Sequence, residues 1–285
     1  MNPAASIGPA DVLRLAAQAQ AQDRVAPLSG HVVEALAAGA LDLSSLDGTD
    51  GNPAGVAVFP VGDPAELFVV PGQRRRGVGS ALVERALDRA GRVWAHGDLP
   101  AAQALAVRAG LRRIRELLRM QRTGPLTGLP AAPTPEGVIV RSFRVGQDEE
   151  QFLQVNARAF AWHPEQGRLD AAGLAGEQRQ DWFDPAGFFL AFDRDGRLLG
   201  FHWTKVHPPV AAGADPIGEV YVLGVDPGAG VPGLGTALTR IGLEHLAGKA
   251  LSTVILYVEG DNERALGLYR KFGFSVAGTD VVYAR

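Results

Sequence analysis

The chain has 285 residues, is 46% hydrophobic and 21% charged, and carries a formal net charge of -3. That length predicts one large or two ordinary domains, each able to bury a core, and the slight acidity argues against nucleic acid as a partner. With no cysteine, the chain can have no disulfide, no thiolate nucleophile and no Cys-ligated zinc. The N-terminal residues lack a basic stretch followed by an apolar one, and no run approaches eighteen apolar residues, so a cytoplasmic protein without a membrane partner is expected.

The first readable element is a strand at Leu67–Val69, followed by Pro71-Gly-Gln-Arg-Arg-Arg-Gly-Val-Gly79 and a helix over 81–90. A second helical stretch, 101–108, ends at Ala109-Gly-Leu111. Residues 123–137 are rich in Pro and Gly and lack apolar periodicity, which predicts an extended linker over 125–137 between domains at 1–124 and 138–285. A strand is expected at 138–143. Phe152, Val155 and Phe160 then recur at helical spacing within 148–160. Strands at 188–193 and 198–206 are joined by the turn Asp193-Arg-Asp-Gly196. An apolar strand at 218–225, a helix at 236–247, a strand at 254–258, a helix at 263–272 and a closing strand at 281–283 complete an α/β (α+β) class.

The halves repeat. Leu67, Val69, Pro71, Gly72, Gly77, Gly79, Ala81 and Leu82 recur 156 residues later without a gap, at Leu223, Val225, Pro227, Gly228, Gly233, Gly235, Ala237 and Leu238. Ala109-Gly-Leu111 is echoed by Phe272-Gly-Phe274. In each half a strand runs into a glycine turn and then a helix. Glycine lets the backbone approach a ligand closely, and the free N–H groups at a helix start form an anion site suited to pyrophosphate. Gly230, Val231, Pro232, Gly233, Leu234, Gly235 and Thr236 form this turn in the second half. Leu67, Phe68, Val69, Arg75, Arg76, Gly77, Val78, Gly79 and Ser80 supply its counterpart in the first. No Gly-Lys-Ser/Thr follows, so the turn is not a Walker loop.

Gln73-Arg-Arg-Arg-Gly-Val-Gly79 resembles the Q/R-x-x-G-x-G/A signature of the GNAT acetyltransferases. Tyr257-Val-Glu-Gly-Asp-Asn262, with Ala265, Tyr269 and Phe272-Gly-Phe274, is similar to that family's downstream motif. The resemblance implies two tandem GNAT domains, each a central mixed sheet flanked by helices, with acetyl-CoA as cosubstrate. It also implies cofactor contacts from Leu223, Gly224 and Val225 and from Asn262, Glu263, Arg264, Ala265, Leu266 and Gly267. Four segments, 94–97, 160–167, 199–208 and 218–227, resemble tandem members that acetylate the cysteinyl amine of a Cys-glucosaminyl-inositol. That narrower resemblance implies a small-molecule amine substrate and a catalytic second half, and a monomer is expected.

Acetyl transfer needs a neutral amine, a polarised thioester and a protonated leaving thiolate. An α-amine has a pKa of about 8, so a modest base is sufficient. Glu219 is the candidate base, directly or through water, against the alternative of a solvent-facing glutamate at a strand start. Tyr269 is the candidate acid for the thiolate, against a core tyrosine. Glu165, Lys205, Glu219 and Tyr257 are candidate acceptor contacts, each with a plain surface or capping alternative. His163, His202 and His207 lack ligand spacing with a carboxylate, so no metal is expected. The repeat offsets place Asp63 opposite Glu219, Leu99 opposite Asn262 and Ala106 opposite Tyr269. The first half is thus expected to bind acetyl-CoA without carrying the transfer. The second half lacks the Gln/Arg ahead of its glycines, and Pro232 removes one N–H donor. A tandem acetyltransferase for another small amine, and a non-catalytic acetyl-CoA-sensing module, remain open alternatives.

Overall fold

The computed structural model describes residues 7–48, 51–163, 166–209, 215–249 and 251–285. They fall into two compact units: Met1–Leu118 with Glu259–Asp261 and Gly278–Arg285, and Arg119–Val258 with Asn262–Ala277.

The first unit begins with α1 (Pro9–Asp23) and α2 (Gly30–Ala37). Val12, Leu15, Ala16 and Ala19 line one face of α1 and bury against Val32, Leu36, Val56 and Phe68. Strands β1 (Asp42–Asp47), β2 (Pro53–Phe59) and β3 (Glu66–Val69) form an antiparallel sheet. Helix α3 (Val78–Ala90), strand β4 (Arg92–Ala95), helix α4 (Pro100–Arg108) and most of β5 (Arg112–Thr123) follow. The C-terminal residues Val281–Ala284 pair antiparallel with β4, from Val281 opposite Ala95 to Ala284 opposite Arg92. Val281 and Tyr283 thereby enter the core of Leu82, Ala86, Val93 and Ala106.

The second unit contains β6 (Ile139–Ser142), α5 (Glu149–Ala159), α6 (Ala171–Gln178), β7 (Phe188–Phe192), β8 (Leu198–His207) and β9 (Ile217–Val225). These are followed by α7 (Leu234–Ala247), β10 (Thr253–Glu259), α8 (Glu263–Lys271) and the start of β11 (Ser275–Ala284), with Glu259 and the residues from Gly278 onward belonging to the first unit. Strands β6 to β9 pair antiparallel in sequence order, and β10 joins β9 in parallel. This is the mixed sheet with flanking helices expected from alternating strand and helix patterns. Residues 125–137 contain no helix or strand. The 193–196 turn closes as predicted. Gly196 takes φ +82°, and Asp193 Oδ1 accepts from the N–H groups of Asp195 and Arg197 at 3.0 and 2.9 Å.

The aromatic core of this unit centres on Phe152 of α5, edge-on to Phe188, Phe201 and Trp203. On the other face of the sheet His202 is fully buried, with Nδ1 2.7 Å from Leu238 O, and burial pushes its pKa down to about 4. Helix α7 passes so close that a Cβ on Gly242 would lie 2.1 Å from His202 Cε1. Overpacking of this kind costs about 1–3 kcal/mol, so Gly242→Ala is expected to lower the unfolding free energy by that amount, read as a fall in the urea midpoint at unchanged m. An unchanged midpoint would show that the helix can shift to relieve the clash. No helix among the described residues is long and apolar enough to cross a membrane.

Candidate active site

The parallel pairing of β9 with β10 is short. Gly218, Glu219 and Val220 stand opposite Val254, Ile255 and Leu256, and the register ends there. Strand β9 continues to Val225 with β8 on its other side, where Leu223, Gly224 and Val225 face His202, Phe201 and Gly200. The edge of β9 facing away from β8 therefore leaves its β10 partner after Val220, which is the opening expected for a ligand that binds backbone groups. Gly224 is glycine for a second reason. A Cβ there would lie 2.6 Å from Phe201 Cζ, so core packing alone requires it.

Beyond β9 the chain turns over Asp226, whose carboxylate accepts from Arg158 at 2.7 Å and from Gly228 N–H at 2.8 Å. Burial opposes the charge, but these bonds outweigh it and hold the Asp226 carboxyl below its usual range. Gly230 and Gly233 take φ +63° and +78°, the left-handed region that glycine tolerates. Gly233 is the N-cap of α7, so the helix begins at Leu234, two residues before the expected start. Ala237 N–H donates to Gly233 O at 3.0 Å and enters the helical ladder, while the N–H groups of Gly235 and Thr236 precede that first bond. The helix start therefore keeps its Gly235 and Thr236 N–H groups ahead of the ladder despite Pro232.

The first unit repeats this geometry. Gly77, 156 residues before Gly233, caps α3 with φ +84° and ψ -11°, against +78° and -5° for Gly233. Just ahead of β3, Ala65 forms a parallel bridge with Val93 of β4. Of the three arginines, Arg74 is held bidentately by Asp23 at 2.8 and 2.6 Å, Arg76 donates to Gln73, and Arg75 adopts φ +64°. Leu99 and Asn262 occupy the N-caps of nine-residue helices, α4 and α8, at the offset of 163. Asn262 Oδ1 accepts from Ala265 N–H at 3.1 Å, whereas Leu99 caps nothing and Pro100 opens α4 instead.

Register gathers three of the four candidate acceptor residues, Lys205, Glu219 and Tyr257, on one sheet face. Lys205 stands opposite Glu219 on β8, and Ile255 stands opposite Glu219 on β10. Tyr257, two residues beyond Ile255, lies on the same face and is exposed. Glu219 is buried, and its Oε2 lies 2.5 Å from Nε2 of His207, two residues beyond Lys205. The register skips Tyr221 between Val220 and Val222, so Tyr221 is the extra residue of a β-bulge. Its ring and that of Trp182 flank Lys205, whose Nζ lies 4.8 and 4.0 Å from their centroids. Tyr269 lies buried on α8, and burial raises its phenol pKa above the usual value, so it remains protonated at neutral pH. Glu165 lies outside the described residues.

Sequence reasoning weighed His207 only as a metal ligand and missed Trp182 and Tyr221. His207 and Tyr221 are each two residues from a candidate, Lys205 or Glu219, so strand alternation could have signalled both. Nothing local pointed to Trp182, which lies in the loop after α6. Among the three histidines, Nδ1 of His163 accepts from Gln166 N–H at 3.0 Å, His202 is core and His207 is on Glu219.

The model of the Acetyltransferase (GNAT) family matches residues 150–274. A mycothiol acetyltransferase of Thermomonospora curvata is 50% identical over 281 residues, covering 95% of this chain and 92% of its own. One from Geodermatophilus obscurus is 50% identical, with 98% and 94% covered. The chain belongs to the mycothiol acetyltransferase family. It is accordingly a GNAT-type N-acetyltransferase. Solved structures bear the same architecture over nearly the whole chain. A GCN5-related N-acetyltransferase from Sphaerobacter thermophilus superposes with TM-score 0.70 at 23% identity, covering 98% of this chain and 93% of that one. A tandem GNAT protein from the clavulanic acid biosynthesis pathway gives 0.66 at 20%, covering 97% and 94%.

Proposed function

We propose that this chain transfers the acetyl group of acetyl-CoA to the cysteinyl amine of a Cys-glucosaminyl-inositol, the acceptor that yields mycothiol, and that residues 138–285 carry the reaction. The observation that carries the proposal is the placement of Glu219. It lies on one sheet face with Lys205 and Tyr257, at the last paired positions before β9 leaves β10. The turn at 230–236 receives the pyrophosphate, and the backbone of Leu223–Val225 receives the pantetheine arm and thioester. Glu263, Arg264 and the rest of the α8 start, through Gly267, border the same cosubstrate.

In this reading Glu219 takes the proton from the attacking amine. The nitrogen bonds to the thioester carbon, the C–S bond breaks, and the departing thiolate takes the phenolic proton of Tyr269. Tyr269 suits an acid because burial keeps it protonated. Glu165, Lys205 and Tyr257 offer a carboxylate, a cation and a phenol to an acceptor rich in hydroxyls and amines. Residues 1–124 keep the glycine turn but have Asp63, Leu99 and Ala106 where the second half has Glu219, Asn262 and Tyr269, so we propose that they bind acetyl-CoA without catalysing transfer. Residues 125–137 link the halves, and the enzyme acts as a cytoplasmic monomer.

The deciding experiment incubates the protein with acetyl-CoA and the Cys-glucosaminyl-inositol amine and follows free CoA and product mass. Release of CoA with formation of an N-acetyl product is expected, and a folded protein that gives neither would sink the proposal. A second outcome concerns Trp182. The cation–π contact of its ring with Lys205 is worth about 0.5–2 kcal/mol. Trp182→Ala is therefore expected to raise KM for the amine by about 2- to 30-fold and to leave KM for acetyl-CoA unchanged. Equal rises in both constants would place Trp182 outside the acceptor subsite.

A further inference from the structure

We infer that His207 is a positioning residue for Glu219, occupying one carboxylate oxygen so that the other is presented to the amine. The inference rests on the proposal that Glu219 takes the amine proton. Glu219 projects from β9 with its side chain buried, and His207 Nε2 lies 2.5 Å from its Oε2. That separation is within hydrogen-bonding reach. Lys205, directly opposite Glu219 in the register, is instead turned over the Trp182 and Tyr221 rings, so the imidazole two residues further along β8 supplies the partner.

The geometry explains why this matters. A carboxylate on a flexible two-carbon stem can rotate away from the amine, and a misplacement of about 1 Å can cost roughly 100-fold in rate. With Oε2 bonded to Nε2–H, that rotation is restrained and Oε1 is left for the substrate. The His207 side chain is 37% exposed while that of Glu219 is 8% exposed. The imidazole therefore forms the wet end of the pair and the carboxylate the dry end.

The test uses the full-length enzyme with acetyl-CoA and the Cys-glucosaminyl-inositol amine. His207→Ala is expected to lower kcat by about 10- to 100-fold with KM for acetyl-CoA unchanged, in the range typical for groups that orient a reacting ligand. Added imidazole is expected to restore much of that loss, and to restore nothing in Glu219→Gln. His207→Gln, which retains an N–H donor, is expected to keep more activity than His207→Ala. Should His207→Ala fail to fold, His207→Phe, of similar volume but without a donor, must show the same fall in kcat. Wild-type kcat in a folded variant lacking the donor overturns the inference, as does a loss that imidazole does not relieve and that His207→Gln shares equally. These outcomes are distinct from failure of the function itself. Wild-type enzyme inactive on this amine sinks both ideas, whereas active wild-type enzyme with an indifferent His207 sinks this one alone.

Discussion

Glu219→Gln is expected to reduce kcat at pH 7 by about 10²- to 10⁴-fold, the usual contribution of a positioned general base. The substitution keeps the shape of the side chain and an oxygen that can accept from His207 Nε2–H. What it removes is proton affinity. The 230–236 turn is untouched, so KM for acetyl-CoA should not change. The defect has a pH signature. An α-amine has a pKa of about 8, so more of the acceptor is neutral without assistance as pH rises, and the gap between variant and wild type should narrow above pH 8. Steady-state rates from pH 6 to 9.5, with free CoA as readout, test this directly. Equal rates for variant and wild type at pH 7 would remove Glu219 from the role of base and leave it as a buried partner of His207.

The parts of the site that sequence made legible are those set by local rules. A glycine with positive φ at a helix N-cap is a property of a few neighbouring residues, so the repeat at Gly77 and Gly233 could be read before any fold was known. The same holds for the helix starts at Leu99 and Asn262, where a proline or a capping side chain marks the first turn. Residue Glu219 was identified by its neighbours in sequence, but its surroundings were not. Which side chains share its face depends on the β8–β9 register and on the bulge at Tyr221, and a one-residue slip would have exchanged the faces. The buried partner strand of β4 was also beyond local reach. Residues 281–283 were expected as a closing strand, and the pattern of a strand does not name its neighbour. Burial of Tyr269 was similarly ambiguous, because a core tyrosine and a buried acid occupy the same helix face. The structure adds the direction of its pKa, which is compatible with both roles.

The largest effect on stability is expected in the first unit, where His96 is nearly enclosed between two carboxylates. Its Nε2 lies 3.4 Å from Glu66 Oε2 and its Nδ1 lies 3.4 Å from Asp280 Oδ2. Glu66 is fully buried and accepts from Ser29 N–H at 2.7 Å and Ser29 Oγ–H at 2.5 Å, while Asp280 accepts from Gly97 N–H at 2.7 Å. Burial alone would lower the His96 pKa, but Asp280 and Glu66 together raise it from 6.5 to about 9. Burial would likewise raise Glu66, and the ion-pair contact with His96 and the bonds from Ser29 leave it below its usual value instead. The folded protein thus holds a proton on His96 that the unfolded chain releases above pH 6.5. Stability from this group is fully present below pH 6.5 and is lost as pH rises through about 9. At most it amounts to roughly 3 kcal/mol, an upper bound because Nε2 makes an ion-pair contact outside hydrogen-bond geometry. For Glu66 the sign is opposite, with stability present above its unfolded value and lost as pH falls through the lower folded one. The melting temperature of the wild type is therefore expected to fall between pH 6.5 and 9. His96→Gln should be less stable at pH 6.5 and should lose this part of the slope, because the titrating group is gone while Glu66 keeps its Ser29 donors. A variant curve parallel to that of the wild type from pH 6.5 to 9 would show that the slope arises elsewhere and that His96 is not the proton held by the fold.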